Sequence, residues 1–169
     1  MSEPLSQVDP FTQAFRKLWA LLESEPLFQK LVPRGNRIKY DGDDRSPDKD
    51  RMSSADWPQV RIIAAGGETD LVASSTHSTI RQIFQIQMAS GDQRFTVIFL
   101  PLKWACLKAL SKTKNSPANF GLAFVHDVTV ASVNDFENDI EGRAQGMWAG
   151  MIDVDVEMAF NTATQLQAA

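Results

Sequence analysis

The chain has 169 residues, 43% of them apolar, with seventeen basic against twenty-one acidic side chains and a net charge of −4. That length corresponds to one domain, and the apolar share excludes wholesale disorder. The acidic balance argues against non-specific nucleic-acid binding, which needs a basic surface to displace counterions.

Ten Phe and four Trp against a single Tyr point to buried packing, since Phe has no polar handle. Cys106 is the only cysteine, so no intramolecular disulfide forms and the fold must stand on its core. The first residues, Met1-Ser2-Glu3-Pro4-Leu5-Ser6, lack the basic and apolar regions of a signal peptide. No apolar run is long enough to span a bilayer. The expectation is a soluble, non-exported domain in a reducing setting, with no membrane or nucleic-acid partner.

Asp9-Pro10 has the chemistry of a helix start, an N-cap followed by a proline whose missing N–H costs nothing there. Phe11, Phe15, Leu18 and Leu22 recur at helical spacing and predict an amphipathic helix over residues 10–23. Pro26 interrupts it, and Leu27, Phe28, Leu31 and Val32 suggest a short second piece ended by Pro33 and Gly35. Residues 34–56 form a polar stretch, most densely polar from Asp41 to Asp56, expected to be a mobile, exposed loop within the domain.

Val60 to Ala64 reads as a short strand closed by Gly66-Gly67 as a hairpin turn, and Ser74 to Ser78 as another polar turn. Ile80, Phe84, Ile86 and Met88 alternate with Arg81, Gln85 and Gln87, which predicts a strand with one dry face; Ile83 breaks the pattern. Ser90-Gly91-Asp92 is a turn whose Asp can cap the next element. From Phe95 to Leu110 the apolar residues fit a long helix, in which Pro101 must mark a kink or the true start. Ser111 to Lys114 ends it. Phe124 to Val133 is β-branched and strand-like, and Asn134 to Arg143 an acidic connection. The last strand has Trp148, Ile152, Val154, Val156, Met158 and Phe160 at even positions and Asp153, Asp155 and Glu157 at odd ones; from about residue 161 the tail is expected to fray. The fold expected is α+β, ordered α-β-β-α-β-β, with a four-stranded, largely antiparallel sheet and two helices on one face.

No constellation of known chemistry emerges. The loop Asp41, Asp43, Asp44, Asp48, Asp50 lacks the calcium-loop pattern: Arg45 and Ser46 stand where a ligand and the turn glycine belong, and Met52 where a bidentate Glu belongs. His77 and His126 have no partner at zinc spacing. Cys106 sits on an apolar stripe and reads as a buried thiol. Ser74, Ser75 and Ser78 lack a nucleophile-elbow context, and Gly66-Gly67 lacks a phosphate-loop continuation. The ladder Asp153, Asp155, Glu157 puts three carboxylates on one strand face about 7 Å apart, which reads as a solvated face or one meeting a basic partner. Two basic clusters, Arg34, Arg37, Lys39 and Lys103, Lys108, Lys112, Lys114, are candidate docking patches. Catalytic, cofactor-binding and metal residues are none; the possible interface residues are Arg34, Arg37, Lys39, Lys103, Lys108, Lys112, Asp153, Asp155 and Glu157.

The element order resembles that of the tail terminator and tail completion proteins of long-tailed bacteriophages. Four passages carry the resemblance: the early helix from Asp9-Pro10-Phe11 to Leu22 with its following loop, the alternating strand from Thr79 to Met88, the helix with Leu100-Pro101-Leu102-Lys103-Trp104-Ala105, and the closing strand from Met147 to Met158. It covers about residues 9–160 and is one of order and pattern rather than of a signature motif. It implies a non-enzymatic assembly protein, encoded by a phage or prophage. Such a protein forms a ring, typically a hexamer, at the head-proximal end of the tail tube, where its partners are itself, the tube and the head connector. It implies a cytoplasmic location during assembly and the virion tail afterwards, and contacts made by the loop between the first helix and the first strand. The alternative reading is a small-ligand-binding α+β domain, or an enzyme whose site gathers residues distant in sequence.

Overall fold

The computed structural model of the chain describes residues 9–39, 58–70, 77–91, 95–112, 121–136 and 147–161. Asp9 accepts hydrogen bonds from the Thr12 backbone N–H (2.9 Å) and hydroxyl (2.7 Å), and α1 runs from it over Pro10–Glu23. Ala14, Leu18, Trp19 and Leu22 are its buried stripe. Ser24 and Glu25 turn the chain, and α2 follows over Pro26–Leu31. A single 3₁₀ turn, Arg34–Asn36, leads into the two-residue strand β1, Arg37–Ile38. Strands β2 (Gln59–Asp70) and β3 (His77–Gly91) come next. A π-helical turn, Phe95–Phe99, then passes into α3, Leu100–Ser111. Strands β4 (Val125–Phe136) and β5 (Met147–Asn161) complete the fold.

The sheet has five strands in the order β1-β2-β3-β5-β4. The last four are antiparallel neighbours and β1 pairs parallel to β2. Beneath one face lies a single core. Val60, Ile62, Phe84, Ile86, Met88, Ile152, Val154, Val156 and Met158 point toward the buried side chains of α1, α2, the π-helical turn and α3, including Leu18, Leu22, Phe28, Phe99 and Leu102. Phe15 meets Phe84 at 6.2 Å between ring centroids and Phe99 meets Trp148 at 6.4 Å, so the helical layer contacts the sheet at two places through tilted aromatic pairs. Cys106 lies within this core, where burial pushes its thiol up to about 12 and keeps it protonated at neutral pH.

The α+β class, the single helical layer and the antiparallel four-strand core agree with expectation. The expected four-stranded sheet and two helices are corrected, among the described residues, to five strands and three α-helices. The stretch beginning at residue 34 starts as a turn and a strand rather than as loop, while its remainder, residues 40–56, lies outside the described residues, as does the tail beyond residue 161.

Gly66-Gly67 does not close β2 as a hairpin turn. It forms a bulge in mid-strand: two residues lie between Ala64 and Gly67 where only Ile83 lies between their partners Phe84 and Gln82. Gly66 takes φ 99°, a β-carbon on Gly67 would collide with the carbonyl oxygen of Arg81, and the Gln82 amide donates to the Gly66 carbonyl at 2.8 Å. The strand then continues through Asp70. His77 and Ser78, expected in a turn, begin β3, and Ser90 and Gly91 end it. Asn134 to Phe136, expected in the acidic connection, continue β4. Pro101 stands in the first turn of α3, so it marks the start of the α-helix, and the preceding turn is wound with π geometry.

Val154 is fully buried while Asp153 and Glu157 face the opposite side, so the register of β5 is the one its alternation demands. Val154→Asp should cost about 4 kcal/mol or more, enough to abolish cooperative unfolding in urea, because it buries an unpaired charge. Gly67→Ala should cost about 2 kcal/mol through the collision at the bulge, with fold and secondary structure retained. A circular-dichroism urea titration reads both, and an unshifted midpoint for either variant contradicts the register or the bulge.

Candidate functional site

Three surfaces carry side chains that the core does not absorb. The first is the open face of the sheet. Cross-strand register aligns its side chains in rows. Arg61, Gln87, Met151 and Asn134 form one row; Ile63, Gln85, Asp153 and Ser132 the next. Ile83, Asp155 and Thr129 form a third, and Glu68, Arg81, Glu157 and Asp127 a fourth.

Within these rows a hydrogen-bond chain crosses all four long strands. Arg61 donates to Gln87 (2.6 Å), Gln87 to Gln85 (2.6 Å) and Gln85 to Asp153 (2.9 Å). From the other edge Asn134 donates to Ser132 (3.1 Å) and Ser132 to Asp153 (2.6 Å). Asp153 is therefore the sink of a wired network. Asp155 receives Arg81, which also reaches Glu68 at 3.8 Å. Asp155 is 9% exposed, and its Oδ1 has no hydrogen-bond partner among the described residues. The carboxylate ladder is thus not a plain solvated face.

The second surface is the outward side of α3. Its two lysines and the C-cap Lys112 turn sideways: Lys103 binds Asp135 of β4 at 2.6 Å, while Lys108 (3.1 Å) and Lys112 (2.9 Å) converge on Glu25. Glu25 stands where an N-cap of α2 would, yet its side chain makes no cap and is 2% exposed beneath the two ammonium groups. The hydrogen bond from Lys112 outweighs burial and, with Lys108 adding to it, holds the carboxyl below its ordinary 4.5. With the lysines drawn aside, Val97 (68% exposed), Leu100 (39%) and Trp104 (61%) form an apolar ridge in solvent. Val130 and Val133 are also exposed on edge strand β4, which Lys103–Asp135 ties to α3.

The third surface is a cleft of about 480 Å³ lined by Glu23, Gln29, Arg34, Arg37 and Lys39. Here the first basic cluster seen in the sequence is brought together. Arg37 donates to the Val32 carbonyl through Nη2 (2.8 Å) and Nε (3.1 Å), and to the Gln29 carbonyl at 3.5 Å. It thereby closes the C-terminus of α2. Glu23 bridges Arg37 (3.3 Å) and Lys39 (2.7 Å).

Of the residues singled out in the sequence, Arg34, Arg37 and Lys39 share this cleft; Asp153, Asp155 and Glu157 share the open face; Lys103, Lys108 and Lys112 are engaged within the chain. Lys114 and the acidic loop from Asp41 to Asp50 lie outside the described residues. His126 is exposed at a β4 bulge and His77 lies in β3. Sequence reasoning does not single out Glu23, Glu25, Arg81 or Ser132; no motif marks them, since each acquires its role from a partner distant in sequence. Among the described residues no three His, Cys, Asp or Glu side chains gather as metal ligands, and no helix is long and apolar enough to cross a membrane. No protein-family model and no curated protein matches the chain.

Since the folded-state pKa of Glu25 lies below its ordinary value, its stabilising effect is present above pH 4.5 and is lost as pH falls through the folded value. Glu25→Gln should therefore lower the urea midpoint near neutral pH, and the gap from the wild type should close in acid. A gap that is constant with pH would contradict the ion-pair account.

Proposed function

We propose that this chain is a structural assembly protein of a phage or prophage tail, which self-associates into a ring and caps the tail tube. The observation that carries the reading is the ridge of Val97, Leu100 and Trp104, because a small domain gains nothing in its own folding from a solvent-facing Trp on a helix whose core face is already complete. With the six-residue α2 and the two-residue β1 set aside, the longer elements run α-β-β-α-β-β, the order on which the resemblance rests. A closed ring joins two different faces of each protomer, and the ridge and the wired open sheet face lie on opposite sides of the sheet. The partners on this reading are further copies of the chain, the tail tube and the head connector, and no turnover of substrate is involved. A small-ligand-binding domain is the second reading, favoured by the cleft at Arg34, Arg37 and Lys39.

Trp104→Glu is the decisive variant. Light scattering over a range of concentrations, alone and with the tail-tube protein of the same genome, should show wild-type rings or capped tubes and a variant that remains monomeric. Its melting temperature should stay within a few degrees of the wild type, as expected of a surface substitution costing about 0.5 kcal/mol or less. A wild-type chain that neither self-associates nor binds a tail component refutes the proposal.

A further inference from the structure

The cleft at the α2–β1 corner has the composition of an anion site. Arg34, Arg37 and Lys39 face a single carboxylate, Glu23, so two positive charges are left without a counter-charge in its lining. Its volume of about 480 Å³ falls in the range of about 300–1,000 Å³ usual for small-molecule sites.

The three cations differ in freedom. Arg37 has a side chain only 8% exposed, fixed by the α2 carbonyls and lying over the Phe28 ring at 5.5 Å from its centroid. Lys39 is 31% exposed, lies 5.8 Å from the Trp19 ring and holds Glu23. Arg34 is exposed on the 3₁₀ turn and has no ion pair with any described residue. This is a fixed wall with two adjustable arms, and partial burial strengthens its field relative to open solvent. Glu23 lies between Arg37 and Lys39 and pairs with both.

We propose that the cleft binds a small dianion, phosphate or a dicarboxylate, with Arg34 and Lys39 closing on its oxygens and Glu23 as the internal competitor. The site does not depend on ring formation, so it stands or falls separately from the assembly reading.

Isothermal titration of the purified chain with inorganic phosphate, and separately with succinate, at low ionic strength tests it. Binding by one or both is expected, and the better of the two distinguishes a tetrahedral from a paired planar oxyanion. Arg34→Ala and Lys39→Met should each weaken binding roughly fivefold to tenfold, the scale of one charge-assisted contact. Arg34 is exposed, so its variant keeps the test valid if the other unfolds. Glu23→Gln should tighten binding roughly threefold or more by removing the competitor. Glu68→Gln makes the same charge change on the open sheet face and should leave the affinity unaltered. Absence of binding by both anions, wild-type affinity in Arg34→Ala, or equal tightening by Glu68→Gln and Glu23→Gln would each overturn the proposal.

Discussion

The pairing of β3 with β5 is the constraint on which the rest of the molecule depends. Both strands run fifteen residues and pair antiparallel along their whole length. Strand side chains alternate faces, so this single register assigns every residue of two central strands to the core or to the open face. Phe84, Ile86, Ile152, Val154 and Val156 become the floor on which α1 and α3 rest, and Gln85, Asp153 and Asp155 become a polar surface. A slip of one residue would turn three carboxylates into the apolar core and the floor toward the open face.

The outer strands adapt to that register by bulging. In β4 an extra residue at His126 and another at Ala131 break strict alternation, so Val125, Val128, Val130 and Val133 all face the helical side. Bulges also suit an edge strand, because they interrupt the row of backbone groups that would otherwise invite indiscriminate pairing. In β2 the extra residue at Gly66-Gly67 returns Glu68 to the open face opposite Arg81. The charged row of Glu68, Arg81, Glu157 and Asp127 exists because of these bulges, on both sides of an unbroken central pair.

Much of this is legible in the sequence, for physical reasons that differ between elements. The limits of α1 follow from Asp9-Pro10 and a clean apolar stripe, and β5 from its strict alternation. Those signals are local, since each is set by neighbours a few residues apart. Gly66-Gly67 reads as a turn because a bulge and a hairpin turn both recruit glycine for the same backbone freedom; only the partner strand distinguishes them. Strand β1 escapes sequence reasoning because two residues carry no periodicity, and Arg37 and Ile38 are held by the neighbouring strand β2. The basic cluster Arg34, Arg37, Lys39 is visible as a cluster, but its concavity and its counter-ion Glu23, fourteen residues upstream of Arg37, are not. Asp155 is expected on a wet face; the guanidinium that covers it arrives from β3, 74 residues earlier.

The character of α3 depends on the same kind of long-range pairing. By composition it is a helix with apolar residues on most sides and lysines between them. In isolation those lysines would extend into water and shield the apolar atoms beside them, as amphipathic side chains do. Here Glu25 draws Lys108 and Lys112 to one side and Asp135 draws Lys103 to the other. Each pair docks α3 against a neighbouring element, the α1–α2 corner or the edge strand. Each also directs a charged head toward that neighbouring element. Val97, Leu100 and Trp104 stay exposed beside these fastened lysines. The partly exposed Lys103–Asp135 pair contributes little to stability by itself, whereas the two lysines over Glu25 neutralise a buried carboxylate, and all three pairs shape what the surface presents. The helix is thus fastened by charge at its flanks and apolar on its crest, while the charged rows lie across the sheet on the open face.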